Sequence, residues 1–254
     1  MSAPLLVKRE DGVLRWTLNR PERRNALDAT LKAALFAALA DAEADPPHVL
    51  VLRGAGGAFC AGQDLAERRG AVGADLGRSI REVYAPLITR LRRLPCVSLA
   101  VVDGAAAGAG AGLALACDIV LAARGARFLF TFVELGLAPD AGTAWLLARA
   151  LGPARARAHL LLGAPLTAEA AATAGLVWEV AEPAELGARA DELAAGLRTR
   201  SLPALLTTRA LVDAAAERTL AAHLAAEAEA QERLGDGDAY RAAVARFLGR
   251  AWGG

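Results

Sequence analysis

The chain has 254 residues, 55% of them apolar, which suits one large domain or a domain plus an appendage and excludes a disordered polymer. Lys and Arg number 29 against 28 Asp and Glu, so with a net charge of +1 no whole-molecule field draws it to nucleic acid or an anionic membrane. Any anionic ligand has to be held by local arginines and backbone donors.

In chain order, MSAPLLVKRE has too few apolar residues before Lys8 to form the core of a secretory signal. VLRWTLNRP (13 to 21) alternates apolar and polar positions and predicts a strand stopped by Pro21. Asp28 is placed to cap a helix in which Leu31, Leu35 and Leu39 recur at helical spacing. HVLVLRG (48 to 54) predicts a buried strand, followed by the glycine-rich loop GAGGAFCAGQDL. The charged segment 66 to 78 lacks periodicity and predicts a loop, whereas IREVYAPLITRLRRL (80 to 94) predicts a helix kinked or split at Pro86. CVSLAVVDG reads as a strand, AGAGAGLALACDIVLAA as a helix passing into a strand, and ARFLFTFV as another extended run. The long apolar stretch from Cys96 to Ala123 is interrupted by glycines, Asp103 and Asp118, which fits a buried soluble core and not a membrane span.

Strands alternating with helices over the first 180 or so residues predict an α/β architecture. TAEAAATAGLVWEV then predicts a capped helix ending at Gly175 and a short strand, and the alanine-rich tail predicts helices starting near Ser201-Pro203 and breaking at GDGD (235 to 238). Cys60, Cys96 and Cys117 are odd in number and fit core thiols in a reducing compartment, so the cytoplasm is the expected location. His48, His159 and His223 have no Cys, His or carboxylate at ligand spacing, and no metal site is expected.

Two glycine clusters each follow a predicted strand. Gly54-Ala55-Gly56-Gly57-Ala58-Phe59 and Gly108-Ala109-Gly110-Ala111-Gly112-Leu113 both fail the dinucleotide pattern at its last position, and neither a G-K-[ST] loop nor a G-x-S-x-G elbow occurs. Such loops still bring free N–H groups close to a small oxyanion, and two of them make an oxyanion hole. Taken alone, either cluster reads first as a tight turn with close helix packing.

LNRPERRNAL (18 to 27), GAFCAGQDL (57 to 65), VDGAAAGAGAGLALACDIVLAA (102 to 123), LGLAPDAGT (135 to 143) and LTAEAAATAGLVWEV (166 to 180) stand in one order. In that order and spacing the chain resembles the enoyl-CoA hydratase/isomerase, or crotonase, superfamily. Within it, the likeness is greatest to members that isomerise a ring epoxide, 2-(1,2-epoxy-1,2-dihydrophenyl)acetyl-CoA, in phenylacetate degradation. The resemblance implies a repeated ββα spiral core over residues 1 to 195. It also implies a C-terminal helical region, 196 to 254, that builds homotrimers or dimers of trimers. The ligand it implies is an acyl-CoA, with coenzyme A entering as part of the substrate and no tightly bound cofactor. By position, the oxyanion hole would use the N–H groups of Ala61 and Ala109. Arg23, Arg24 and Ala26 would lie at the nucleotide end and Ala61, Gln63, Asp64 and Leu65 along the pantetheine, although either arginine also reads as a solvated surface charge. Leu76, Tyr84, Leu87 and Phe132 are the expected acyl-pocket side chains.

The chain departs from the hydratases where they carry two water-handling glutamates: here those positions are Gly112 and Phe132, and neither can hold or protonate water. Glu134 lies two residues from the second position and reads as a surface group. Asp140, by resemblance, occupies the position of the isomerases' proton-shuttling aspartate. The competing reading, which the surrounding motifs disfavour, is a helix N-cap before AGTAWLLARAL. The expected activity is acyl-CoA isomerisation through an enolate, with a hydratase, a Δ3,Δ2-enoyl-CoA isomerase or a non-catalytic acyl-CoA binder as alternatives.

Overall fold

The computed structural model describes residues 2–70 and 72–251. It divides into two compact units, Met1–Leu197 and Arg198–Gly254.

The strands of the first unit are β1 (Leu5–Glu10), β2 (Val13–Leu18), β3 (Val49–Gly54), β4 (Val97–Val102), β5 (Ala105–Ala107), β6 (Ile119–Ala123), β7 (Arg127–Leu129), β8 (Leu166–Thr167) and β9 (Glu179–Ala181). Its helices are α1 (Ala29–Ala44), α2 (Gly73–Ser79), α3 (Ala85–Arg93), α4 (Ala109–Leu115), α5 (Thr143–Leu162), α6 (Ala168–Thr173) and α7 (Leu186–Arg198). One sheet has the order β1-β2-β3-β4-β6-β9, parallel except for the β1–β2 hairpin. A second sheet, β5-β7-β8, stands beside the glycine-led helix. This is the α/β architecture that the alternation of elements predicts.

The burial pattern explains which runs became central strands. Every residue of β4, and the first four of β3, are buried, as expected of parallel strands covered on both faces. Edge strand β1 exposes everything after Leu5, and its Lys8, Arg9 and Glu10 deter pairing with another chain. The hairpin turns through Asp11 and Gly12, with φ of 49° and 75°, the left-handed pair that suits a two-residue loop. In α1 the Asp28 carboxylate accepts from the Leu31 amide at 2.8 Å, and Leu31, Leu35 and Leu39 are buried in the core. All three cysteines are free and buried, and burial pushes the Cys60 thiol up to about 12.

Three segments differ from the sequence expectation. Residues 66–78 are helical in two short pieces, the end of a 3-10 turn, Leu65–Arg68, and α2, because Asp64 caps the first through the Ala66 amide. ARFLFTFV is extended only over β7 and then coils into a 3-10 turn, Val133–Leu135. The segment 80–94 is split, as Pro86 predicts, into a π-helical turn, Ile80–Tyr84, and α3, with the proline in the first turn of α3.

The second unit holds α8 (Leu202–Ala214), α9 (Leu220–Gly235) and α10 (Asp238–Ala251). Pro203 lies in the first turn of α8 and the break between α9 and α10 falls at Asp236-Gly237, both where the turn residues predict them. Among the described residues no helix is long and apolar enough to cross a membrane.

Candidate active site

The loop after β3 is fixed from below by Asn25, which is fully buried at φ 57°. Its side-chain oxygen accepts from the Arg20 amide at 2.8 Å, and its nitrogen donates to the carbonyls of Ala55 and Ala58, each at 2.8 Å. Asn25→Ala orphans three backbone groups and puts alanine in a left-handed conformation, so it should cost about 2–3 kcal/mol. Urea unfolding midpoints measure that loss.

Above this anchor the loop pairs with β5: the Cys60 amide donates to the Ala105 carbonyl at 3.1 Å, and the Ala107 amide donates to the Cys60 carbonyl at 2.8 Å. Here the expected role of Ala61 fails. Its amide donates to the Arg24 carbonyl at 2.9 Å and is not free for a ligand. Gly62, at φ 81°, then reverses the chain so closely over Ala107 that an added Cβ would sit 2.6 Å from the Ala107 carbonyl oxygen. The next amide, that of Gln63, makes no hydrogen bond among the described residues, and neither does the Ala109 amide at the first turn of α4. Gln63 and Ala109 line one cavity of about 510 Å³, so the pair of free donors is Gln63 and Ala109.

Asp140 lies on the wall of the same cavity. Its cap reading is excluded by the turn that follows: Ala141 and Gly142 take φ of 49° and 72°, Gly142 is the N-cap of α5, and no side chain caps that helix. The Asp140 side-chain oxygen Oδ1 is buried without a hydrogen-bond partner. Burial raises its carboxyl to about 6, against the opposing pull of the Arg68 guanidinium and its own amide. A carboxyl poised there exchanges protons near neutrality.

The two hydratase positions hold nothing ionisable. Phe132 is buried on the cavity wall, and a Cβ added to Gly112 would lie 2.7 Å from the Ala141 carbonyl oxygen and 3.0 Å from Thr143 Oγ1. Glu134 is exposed, as expected of a surface group.

The rest of the predicted strip divides. Arg23 and Arg24 are exposed, with no ion pair among the described residues, and Ala26 is buried. Leu65 lines the cavity and is 57% exposed. Asp64 has an internal role: with Asp28 it grips Arg20, each at 3.1 Å. Burial works upward on its carboxyl, yet the Ala66 amide and Arg20 hold it below the usual range. Of the acyl-side residues, Leu76 and Phe132 line the cavity, while Tyr84 and Leu87 are buried in the core and do not.

The sequence reading missed the group around the Gln63 side chain. Its Oε1 accepts from Tyr84 Oη at 2.6 Å, Lys32 Nζ at 3.2 Å and Arg68 Nη2 at 3.2 Å. Its Nε2 donates to the Asp64 carbonyl at 3.0 Å and Glu67 Oε2 at 3.3 Å. Burial and the nearby Asp140 charge push the Tyr84 hydroxyl upward, so it stays a proton donor to Gln63. The only sequence signal was a glutamine next to the glycine of a ligand loop.

The family model described as Enoyl-CoA hydratase/isomerase matches residues 8–252. The chain is 42% identical over 245 residues to the 1,2-epoxyphenylacetyl-CoA isomerase of Escherichia coli K12, covering 95% of this chain and 94% of the relative. It is 41% identical over 238 residues to a Rhodobacter capsulatus protein named a probable enoyl-CoA hydratase, covering 94% and 92%. A crystal structure of an enoyl-CoA hydratase from Polaromonas sp. JS666 superposes with a TM-score of 0.90 at 37% identity over 97% of both chains.

Proposed function

The chain belongs to the enoyl-CoA hydratase/isomerase family, and from that premise we propose that it is an acyl-CoA isomerase acting on 2-(1,2-epoxy-1,2-dihydrophenyl)acetyl-CoA. The observation that carries this reading is Asp140: a carboxyl with an unpartnered oxygen on the cavity wall, raised to about 6. No carboxylate occupies the two positions where hydratases handle water.

The thioester oxygen is received by the amides of Gln63 and Ala109, which act where negative charge develops as the α-carbon loses its proton. The C–C bond shared by the epoxide and the six-membered ring breaks as the ring expands to a seven-membered oxepin, its electron pair passing into the ring double bonds; Asp140 takes the α-proton and returns one at the γ ring carbon, which leaves a double bond conjugated with the thioester and no atom gained or lost. The adenine nucleotide end of the substrate meets the unpaired Arg23 and Arg24 beside Ala26, and Leu65 flanks the pantetheine. Phe132 shields the reacting carbons from water. The active assembly in this reading is a homotrimer or a dimer of trimers, with no cofactor beyond the coenzyme A of the substrate.

A base with its pKa near 6 is ionised above that pH. The expected kcat/KM therefore rises about tenfold per unit below pH 6 and levels off above it. The direct test is incubation with a panel of acyl-CoAs in deuterated water, read for exchange at the α or γ carbon. Exchange on the phenylacetyl-type thioester supports the reading, and no exchange on any acyl-CoA overturns it. Hydration is the second reading, favoured by the 41% identity to the relative named as a hydratase. It requires water addition to crotonyl-CoA by the purified protein.

A further inference from the structure

One cation on the cavity wall takes no part in that chemistry. Arg68 lines the cavity at the end of the 3-10 turn, and its Nη2 donates to Gln63 Oε1 at 3.2 Å and to Ser79 Oγ at 2.7 Å. These two bonds hold the guanidinium in place, yet its Nε and Nη1 make no hydrogen bond, and no carboxylate lies within ion-pair distance of it among the described residues. A guanidinium has five N–H donors, so this one is oriented and partly unused. The cavity it shares is lined largely by apolar side chains, Leu65, Leu76, Ile80 and Phe132 among them. Asp140 lines the same cavity, and the field of Arg68 pulls its carboxyl downward against burial.

This combination discriminates between acyl groups. A plain hydrocarbon filling the cavity would strip water from the guanidinium and give nothing back, and an unpaired buried donor on a cation is penalised heavily. An acyl group carrying an acceptor oxygen at that spot replaces the lost water with a charge-assisted hydrogen bond.

We propose that Arg68 is a specificity-determining residue, donating a hydrogen bond to an oxygen atom carried on the ring of the acyl group and so favouring oxygenated over plain arylacetyl-CoA thioesters. The idea rests on the arylacetyl substrate class proposed above and deepens it. It follows that Gln63 is shared: its amide serves the thioester oxygen and its side chain positions the cation that meets the ring oxygen.

The test is equilibrium binding, by calorimetry, of two stable thioesters that differ by one atom: phenylacetyl-CoA and 2-hydroxyphenylacetyl-CoA. Wild type should bind the hydroxylated analogue roughly tenfold more tightly. Arg68→Met should erase that preference without lowering affinity for phenylacetyl-CoA, whose binding also reports that the variant is folded. Arg68→Lys, which keeps a cation at the position, should retain a preference. Equal affinities in wild type overturn the proposal, and so does a preference that survives Arg68→Met. Neither probe needs turnover, so the outcome is independent of whether Asp140 moves protons, which deuterium exchange alone reads.

Discussion

Asp140→Asn is expected to lower isomerase turnover by about 10³-fold or more, at the upper end of what one acid-base group supplies, because the same carboxyl both takes and returns the proton. Acyl-CoA affinity should stay nearly unchanged, since the free Gln63 and Ala109 amides and the exposed arginines are untouched. The variant should also be more stable than wild type. The folded-state pKa of Asp140, about 6, lies above the ordinary carboxylate value of 3.8, so between those values the native state binds more protons than the unfolded chain. Stability therefore falls as pH rises through that window, and at neutral pH the ionised carboxylate costs on the order of 2–3 kcal/mol. Asparagine removes that cost. Thermal melts at pH 4 and pH 7 should show the gain mainly at pH 7. Turnover within threefold of wild type would sink the catalytic role.

The second large effect concerns a main-chain atom. Ala109 is the first residue of α4, a position where proline is compatible with a helix, so Ala109→Pro deletes the N–H with little demand on the fold. Loss of one oxyanion donor is expected to lower kcat by about 10²–10³-fold. Ala109→Gly, which keeps the N–H, should remain close to wild type. Deuterium exchange at the α-carbon should fall in parallel with kcat in the proline variant, because both pass through the same enolate. A proline variant that folds normally and turns over at the wild-type rate would remove the oxyanion hole from the mechanism.

Much of this architecture is legible in the sequence because local and tertiary preferences agree. HVLVLRG and CVSLAVV are short, mostly apolar runs, and both became strands of the parallel sheet. Pro86 announced the split of its helix, and Asp28 its cap. The β1–β2 hairpin was also written in the sequence, as Asp11-Gly12 between two strand-forming runs, but the charges of KRE obscured it. Asp140 was legible as a base at the isomerases' position or as a helix cap, and only the left-handed turn through Ala141 and Gly142 separates its cap role from a free carboxyl. The free amide of the loop after β3 lies two residues past Ala61 for a similar reason. Which amide of CAGQD is free depends on Gly62 at φ 81° and on a carbonyl of Arg24 far away in sequence, and neither is encoded locally. Arg68 and Tyr84 converge on Gln63 from separate segments, a juxtaposition that exists only after folding.

The closed space over Gly112 has an evolutionary consequence. The Ala141 carbonyl and Thr143 that crowd an added Cβ there belong to the turn that presents Asp140. A glutamate at 112 and an aspartate presented at 140 by this backbone are thus alternatives competing for one volume. Converting such a protein between adding water and moving protons is not a matter of exchanging one side chain. The turn itself has to be rebuilt in the same step, and intermediates with only half the change would be poorly packed and idle.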